Sequence, residues 1–105
     1  MAEIVWTEPA LADLDAIADY IAVENPTAAR EFVQRVFGHI DKLEKHPSLG
    51  PIPPELEKSR YRQIVEAPCR IFYRLDNEQV LILHVMRSER LLRETNLLRS
   101  EHNKI

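Results

Sequence analysis

YRQIVEAPCRIFYRLDNEQVLILHVMRS, residues 61–88, is the stretch that decides the fold. Runs rich in β-branched and aromatic residues fill Tyr61–Glu66, Cys69–Asp76 and Val80–Ser88. Such residues suit a pleated, half-buried surface. Pro68 breaks the first run from the second, because a proline cannot donate to a strand ladder. Asp76-Asn77 supplies a turn before the third. Three strands joined by short breaks predict an antiparallel meander. The last run, VLILHVM, is almost continuously apolar, so it is expected at a central position, covered on both faces.

Upstream, HPSLGPIPPE (residues 46–55) is a proline-rich, stiff connector. Before it, Ala29, Phe32, Val33, Val36, Phe37, Ile40 and Leu43 recur at helical spacing and predict a helix of about five turns. Asn25-Pro26 starts it, with Asn as N-cap and Pro in the first turn. An earlier stripe of Leu11, Leu14, Ile17, Ala18 and Ile21 predicts another helix, capped by Thr7. The short break between them makes an αα-hairpin. EIVW (residues 3–6) reads as a first strand. Downstream, Ser88 is expected to cap a short terminal helix carrying Leu91, Leu92, Leu97 and Leu98, and the tail SEHNKI to fray. The expectation is a single α+β domain over 1–105: an N-terminal strand, then a helical hairpin packed on a small antiparallel meander, then a short C-terminal helix.

Composition narrows the function. With 105 residues, 45% hydrophobic and 30% charged, the chain can build one core. A single cysteine, Cys69, rules out an intramolecular disulfide. There is no basic-then-apolar leader, and no apolar run approaches the roughly 20 residues that cross a bilayer. A cytoplasmic protein without membrane contact is expected. The net charge of −3 hides an asymmetry: residues 1–57 carry −7 and residues 58–105 carry +4. Eight of the ten bases in the second part are arginines. Their planar forks pair bidentately with carboxylates or phosphates, which points to a partner meeting that part.

Three stretches together resemble the RelE/ParE superfamily of type II toxins, also known as plasmid stabilisation proteins, and are closer to ParE than to RelE. They are WTEPALADLDAIADYIAVENPTAAREF (6–32), HPSLGP (46–51) and YRQIVEAPCRIFYRLDNEQVLILHVMRSER (61–90). The resemblance implies growth inhibition and a cognate, ParD-like antitoxin, with a possible toxin–antitoxin hetero-oligomer. It implies one of two targets. ParE-like members poison DNA gyrase by binding, whereas RelE-like members cut messenger RNA in the ribosome.

A ribonuclease must move protons and stabilise a pentavalent phosphate. Arg62, Arg70, His84, Arg87 and Arg90 are the candidates for that chemistry. The cations are plentiful but the proton carrier is not: His84 lies inside an apolar strand, where a packed histidine is the simpler reading. RelE-like nucleases have clustered lysines after the second helix and a late Tyr or His. Here that region offers Lys58 and Arg60, no Tyr follows Tyr73, and His102 lies in the polar tail. The pI near 5.8 also differs from the basic character of nucleic-acid-docking proteins. His39 and His46 stand about two helical turns apart, too far to share a metal. Asp15 with Asp19 reads as a solvated helix face, and Cys69 as a buried thiol. No cofactor motif is present, since Gly38 and Gly50 are the only glycines. A gyrase poison acting by binding is therefore expected, with Arg70, Arg74, Arg87, Arg90, Leu91 and Leu92 as target- or antitoxin-binding residues. Target contact is expected between Arg87 and Leu98. The hairpin, through Leu11, Leu14, Ile21, Phe32 and Phe37, is expected to be scaffold and part of an antitoxin groove.

Overall fold

Thr7 is buried where the first strand becomes the first helix. Its hydroxyl donates to the Ile82 carbonyl at 2.7 Å and accepts from the Ala10 amide at 3.3 Å. One short side chain thus caps a helix and fixes it to the far end of the sequence. A computed structural model describes residues 1–101. The elements run β1 (Glu3–Trp6), α1 (Glu8–Ala22), α2 (Pro26–Asp41), β2 (Tyr61–Glu66), β3 (Cys69–Asp76), β4 (Gln79–Arg87) and α3 (Glu94–Glu101). Asn25 caps α2 as expected, its side-chain oxygen accepting from Ala28 N at 3.0 Å. Leu43 lies beyond α2, in a single 3-10 turn at Lys42–Glu44.

The sheet has four strands in the order β1-β4-β3-β2. β2, β3 and β4 form the expected antiparallel meander. β1 pairs parallel with β4, Glu3 opposite Gln79 through Trp6 opposite Ile82, so the sheet is mixed. β4 is interior, which accounts for its apolar run. Asn77, with φ 57°, makes the tight turn from β3 to β4 in the left-handed region that Asn tolerates. Within β4 the register slips: Phe72 faces His84, but Tyr73 faces Ile82. Leu83 is thus an extra residue, a bulge that re-aims the side chains after it.

Two cores result. Ala10, Leu14, Phe32, Val36, Ile40 and Leu43 pack on Ile64, Ile71, Tyr73, Val80, Ile82 and Val85 on one sheet face. On the other face Leu92 and Leu97 pack on Tyr61, Phe72, Leu81, Leu83 and Met86. The four leucines expected on a terminal helix are therefore divided. Leu92 and Leu97 are buried, whereas Leu91 and Leu98 are 78% and 43% exposed. Covering the second face explains this, because burying a leucine stabilises by roughly 2 kcal/mol. The expected cap is also corrected: Ser88 lies in a turn and α3 begins only at Glu94. Ser88 donates its amide to the Pro68 carbonyl at 2.9 Å instead. Of the tail, residues 102–105, His102 included, lie outside the described residues.

The connector is pinned to the sheet. Tyr73 accepts the Gly50 amide at 2.9 Å and donates to the Pro47 carbonyl at 2.8 Å. A Cβ on Gly50 would lie 2.2 Å from the Gln63 carbonyl oxygen, so only glycine allows the backbones to approach.

An arginine-rimmed cleft as candidate functional site

The fold sorts the arginines into committed and uncommitted groups. Arg62 donates to the Gly50 carbonyl at 2.8 Å and holds the connector. Arg70 forms a two-pronged pair with Glu55 at 2.8 and 2.9 Å, its side chain only 11% exposed. Arg70 also donates to the Arg90 carbonyl at 3.3 Å, and the Leu92 amide donates to Glu55 at 3.1 Å. This pair therefore ties the connector, β3 and the C-terminal arm together. The Arg70 guanidinium holds the Glu55 carboxyl at about 2, against the smaller upward push of burial; the Leu92 amide adds to the lowering. Arg74 is buried and pairs with Asp76 at 3.1 Å. These three side chains are internal ties, and Arg70 and Arg74 could meet a partner only by giving up carboxylates they already hold.

Arg87, Arg90 and Arg93 are exposed. Arg87 pairs with Glu89 at 2.9 Å and stacks 5.2 Å over the Tyr20 ring. Arg90 and Arg93 have no side-chain ion pair among the described residues. All three line a cleft of about 880 Å3 between α1, the end of β4 and the arm before α3. Ala16, Ile17, Leu91 and Asn96 also line it. Its floor holds Asp13 and His84. His84 Nδ1 lies 2.6 Å from Asp13 Oδ2, and the imidazole stacks on Phe72. The same oxygen accepts the Val85 amide at 3.3 Å and faces Arg99 of α3 at 3.7 Å. That amide is exposed to α1 because β1 ends opposite Ile82.

Of the sequence candidates, the cleft brings together His84, Arg87, Arg90, Leu91 and Leu92. Leu92 contributes from the core, and Arg62 and Arg74 are not among the lining residues. Arg93 and Asn96 fall within the expected Arg87–Leu98 contact stretch, whereas Asp13 of the cleft and Tyr20 under Arg87 were missed. Asp13, Ile17 and Tyr20 do fall on one helix face, at i, i+4 and i+7, but Ile17 reads as part of the apolar stripe and does not mark its polar neighbours.

On the other side of α1, a shallower groove of about 450 Å3 runs between α1 and α2. Leu11, Leu14, Ala18, Val33 and Phe37 line it, with Glu8 and Asp15 at its margins. Leu11 and Phe37, expected as scaffold and part of an antitoxin groove, are more than a third exposed, whereas Phe32 is buried. Cys69 is fully buried, and burial pushes its thiol up to about 11, which disfavours the thiolate. Among the described residues no cluster of His, Cys, Asp or Glu could hold a metal, and no helix is long and apolar enough to cross a membrane.

Comparison with known proteins gives a consistent answer. The family model for the ParE toxin of the type II toxin-antitoxin system, parDE, matches residues 4–92. Toxin RelE2 of Caulobacter vibrioides is 35% identical over 92 residues, 87% of this chain and 100% of that one. Y4kP of Sinorhizobium fredii, also named as a toxin, is 36% identical over 83 residues, 79% of this chain and 84% of that one. A solved chromosomal ParDE toxin-antitoxin system from P. aeruginosa superimposes with a TM-score of 0.71 at 28% identity, covering 85% of this chain and 98% of that chain.

Proposed function

Because the chain belongs to the ParE toxin family of type II toxin-antitoxin systems, we propose that it arrests growth by binding and poisoning DNA gyrase. The observation that carries this reading is the sorting of the arginines. Arg62 and Arg70, two of the candidates for nuclease chemistry, are tied to internal partners, as is Arg74. Arg87, Arg90 and Arg93 gather with exposed Leu91 on one rim. Exposed arginine beside an aromatic and an aliphatic side chain is the composition of a binding surface.

Neutralisation is assigned to a cognate, ParD-like antitoxin. Its apolar segment would lie in the groove of Leu11, Leu14, Val33 and Phe37, with basic flanks meeting Glu8 and Asp15. A smaller hollow lined by Glu8, Pro9, Ala12, Asp13 and Arg99 joins that groove to the arginine cleft. An arm continuing over the start of α1 would cover the target-facing rim. Gyrase works in the cytoplasm, where the toxin would act.

One observation favours a second reading, a ribosome-dependent endoribonuclease like the RelE-type toxins. The Asp13–His84 contact fixes one imidazole nitrogen at the floor of a cationic cleft, an arrangement able to transfer a proton. The two readings separate in parallel assays of purified protein. Gyrase-dependent DNA cleavage with intact message is expected. Codon-positioned message cuts with unaffected supercoiling would overturn gyrase poisoning in favour of the nuclease.

A further inference from the structure

The arm from Arg90 to Arg93 has an unusual build. Leu91 is 78% exposed although Leu92 beside it is buried, and it is flanked by two guanidiniums without ion-pair partners among the described residues. The arm is irregular backbone outside any helix, yet its position is fixed. Glu55 accepts the Leu92 amide at 3.1 Å, and Arg70 donates to the Arg90 carbonyl at 3.3 Å. Leu92 anchors it in the second core. An aliphatic side chain presented between arginines on a rigid support matches the way proteins grip a DNA groove. The arginines neutralise phosphates and the aliphatic wedge enters between them. Arg87, held over Tyr20, extends the same cationic rim. Asp13 on the floor does not oppose this, because its carboxylate is already engaged by His84, the Val85 amide and Arg99.

We infer that the Arg87–Arg93 arm is a duplex-DNA contact, with Arg90 and Arg93 on backbone phosphates, Leu91 in the groove, and Arg87 exchanging its solvent-exposed, weak pair with Glu89 for a third phosphate. This deepens and rests on the gyrase reading: the toxin would engage the DNA that gyrase holds as well as the enzyme. An acidic protein surface is the competing occupant. It would use the arginines as well; the duplex is favoured because the cations gather on one rim with Leu91 set between Arg90 and Arg93.

The test titrates the full-length chain into a fluorescein-labelled duplex and reads anisotropy between about 50 and 200 mM salt. Binding is expected with a Kd of about 10–100 µM, typical of non-specific contact. The log–log salt slope should be about −3 for three phosphate contacts. Arg90→Ala and Arg93→Ala should each reduce the slope by about 1. Leu91→Ala should weaken binding several-fold and leave the slope unchanged. Arg30→Ala, exposed on α2 away from the cleft, should change neither. Absence of salt-dependent binding, slopes unmoved by the Arg90 and Arg93 variants, or competition by oligoglutamate as effective as unlabelled duplex would each overturn the DNA contact. Gyrase cleavage is scored separately. Cleavage that persists in a chain unable to bind DNA sinks the contact and spares the gyrase reading, whereas DNA binding without gyrase cleavage does the reverse.

Discussion

Asp13 Oδ2 and His84 Nδ1 meet at 2.6 Å although 71 residues separate them in sequence. The contact joins α1 to the half of β4 that β1 does not reach. It also satisfies the Val85 amide, which has no strand partner on that side. One carboxylate therefore closes a sheet edge, orients an imidazole and faces Arg99 of α3.

Asp13→Ala leaves the His84 nitrogen and the Val85 amide without that acceptor. A part-buried donor deprived of its partner costs about 1–3 kcal/mol. Urea denaturation should show a midpoint lowered by a matching amount, with Asp13→Asn closer to the parent. An unchanged midpoint in the alanine variant would mean that the contact contributes nothing to stability.

Glu55→Gln should destabilise the chain in a pH-dependent way. The Glu55 carboxyl is held at about 2, below its usual 4.5, chiefly by Arg70. A depressed carboxylate contributes stability that is fully present above the ordinary value and lost as pH falls through the folded-state value. The contribution is up to about 3 kcal/mol. The gap in unfolding midpoint between parent and variant should therefore be widest above pH 4.5 and close towards pH 2. A gap independent of pH would show that the charge of Glu55 is immaterial.

Leu97→Ala and Leu98→Ala are adjacent truncations with opposite expectations. Leu97 is fully buried under the second sheet face, and its loss should cost about 2–5 kcal/mol. That lowers the melting temperature by at least about 8 °C. Leu98 is 43% exposed, and its loss should change stability by within about 0.5 kcal/mol. Equal effects in thermal denaturation would contradict the docking of α3 on the sheet.

Gly50→Ala should destabilise by about 1–3 kcal/mol, because the added methyl collides with the Gln63 backbone and disturbs the Tyr73 hydroxyl bonds. Gly38→Ala is the control: a Cβ there meets open space, and alanine is the better helix former. Circular dichroism melts of the two variants should move in opposite directions.

Much of this fold is legible because its signals are local. Pro68 and Asp76-Asn77 punctuate the meander at the observed strand ends, and Asn25 and Thr7 cap the helices they precede. The parallel pairing of β1 is not legible, since EIVW carries no mark of its neighbour across the sheet. The bulge at Leu83 hides within an apolar run, where a shift of face changes no residue class. The fate of each arginine is equally non-local: Arg70 meets Glu55 across 15 residues, and nothing near Arg93 in sequence shows that it has no ion pair among the described residues. Net charge by segment locates the basic half of the chain but cannot separate its structural guanidiniums from those facing outward.

The parallel seam between β1 and β4 has a consequence for synthesis. The first strand made must wait for the last, because Glu3 finds Gln79 only after the helices, the connector and two other strands have emerged. Helices can form early, but a sheet missing its interior strand offers neither a closed core nor the fixed arm beyond Arg87. Ribosome-stalled chains ending before residue 79 should be digested readily by added protease, and chains extended well past Glu101 should resist it. Protection of the shorter chains would show that the helical hairpin stands alone. On the proposed reading, a nascent chain would gain its toxic surface only once β4 and the arm beyond it have emerged, which would leave an antitoxin already present time to meet it.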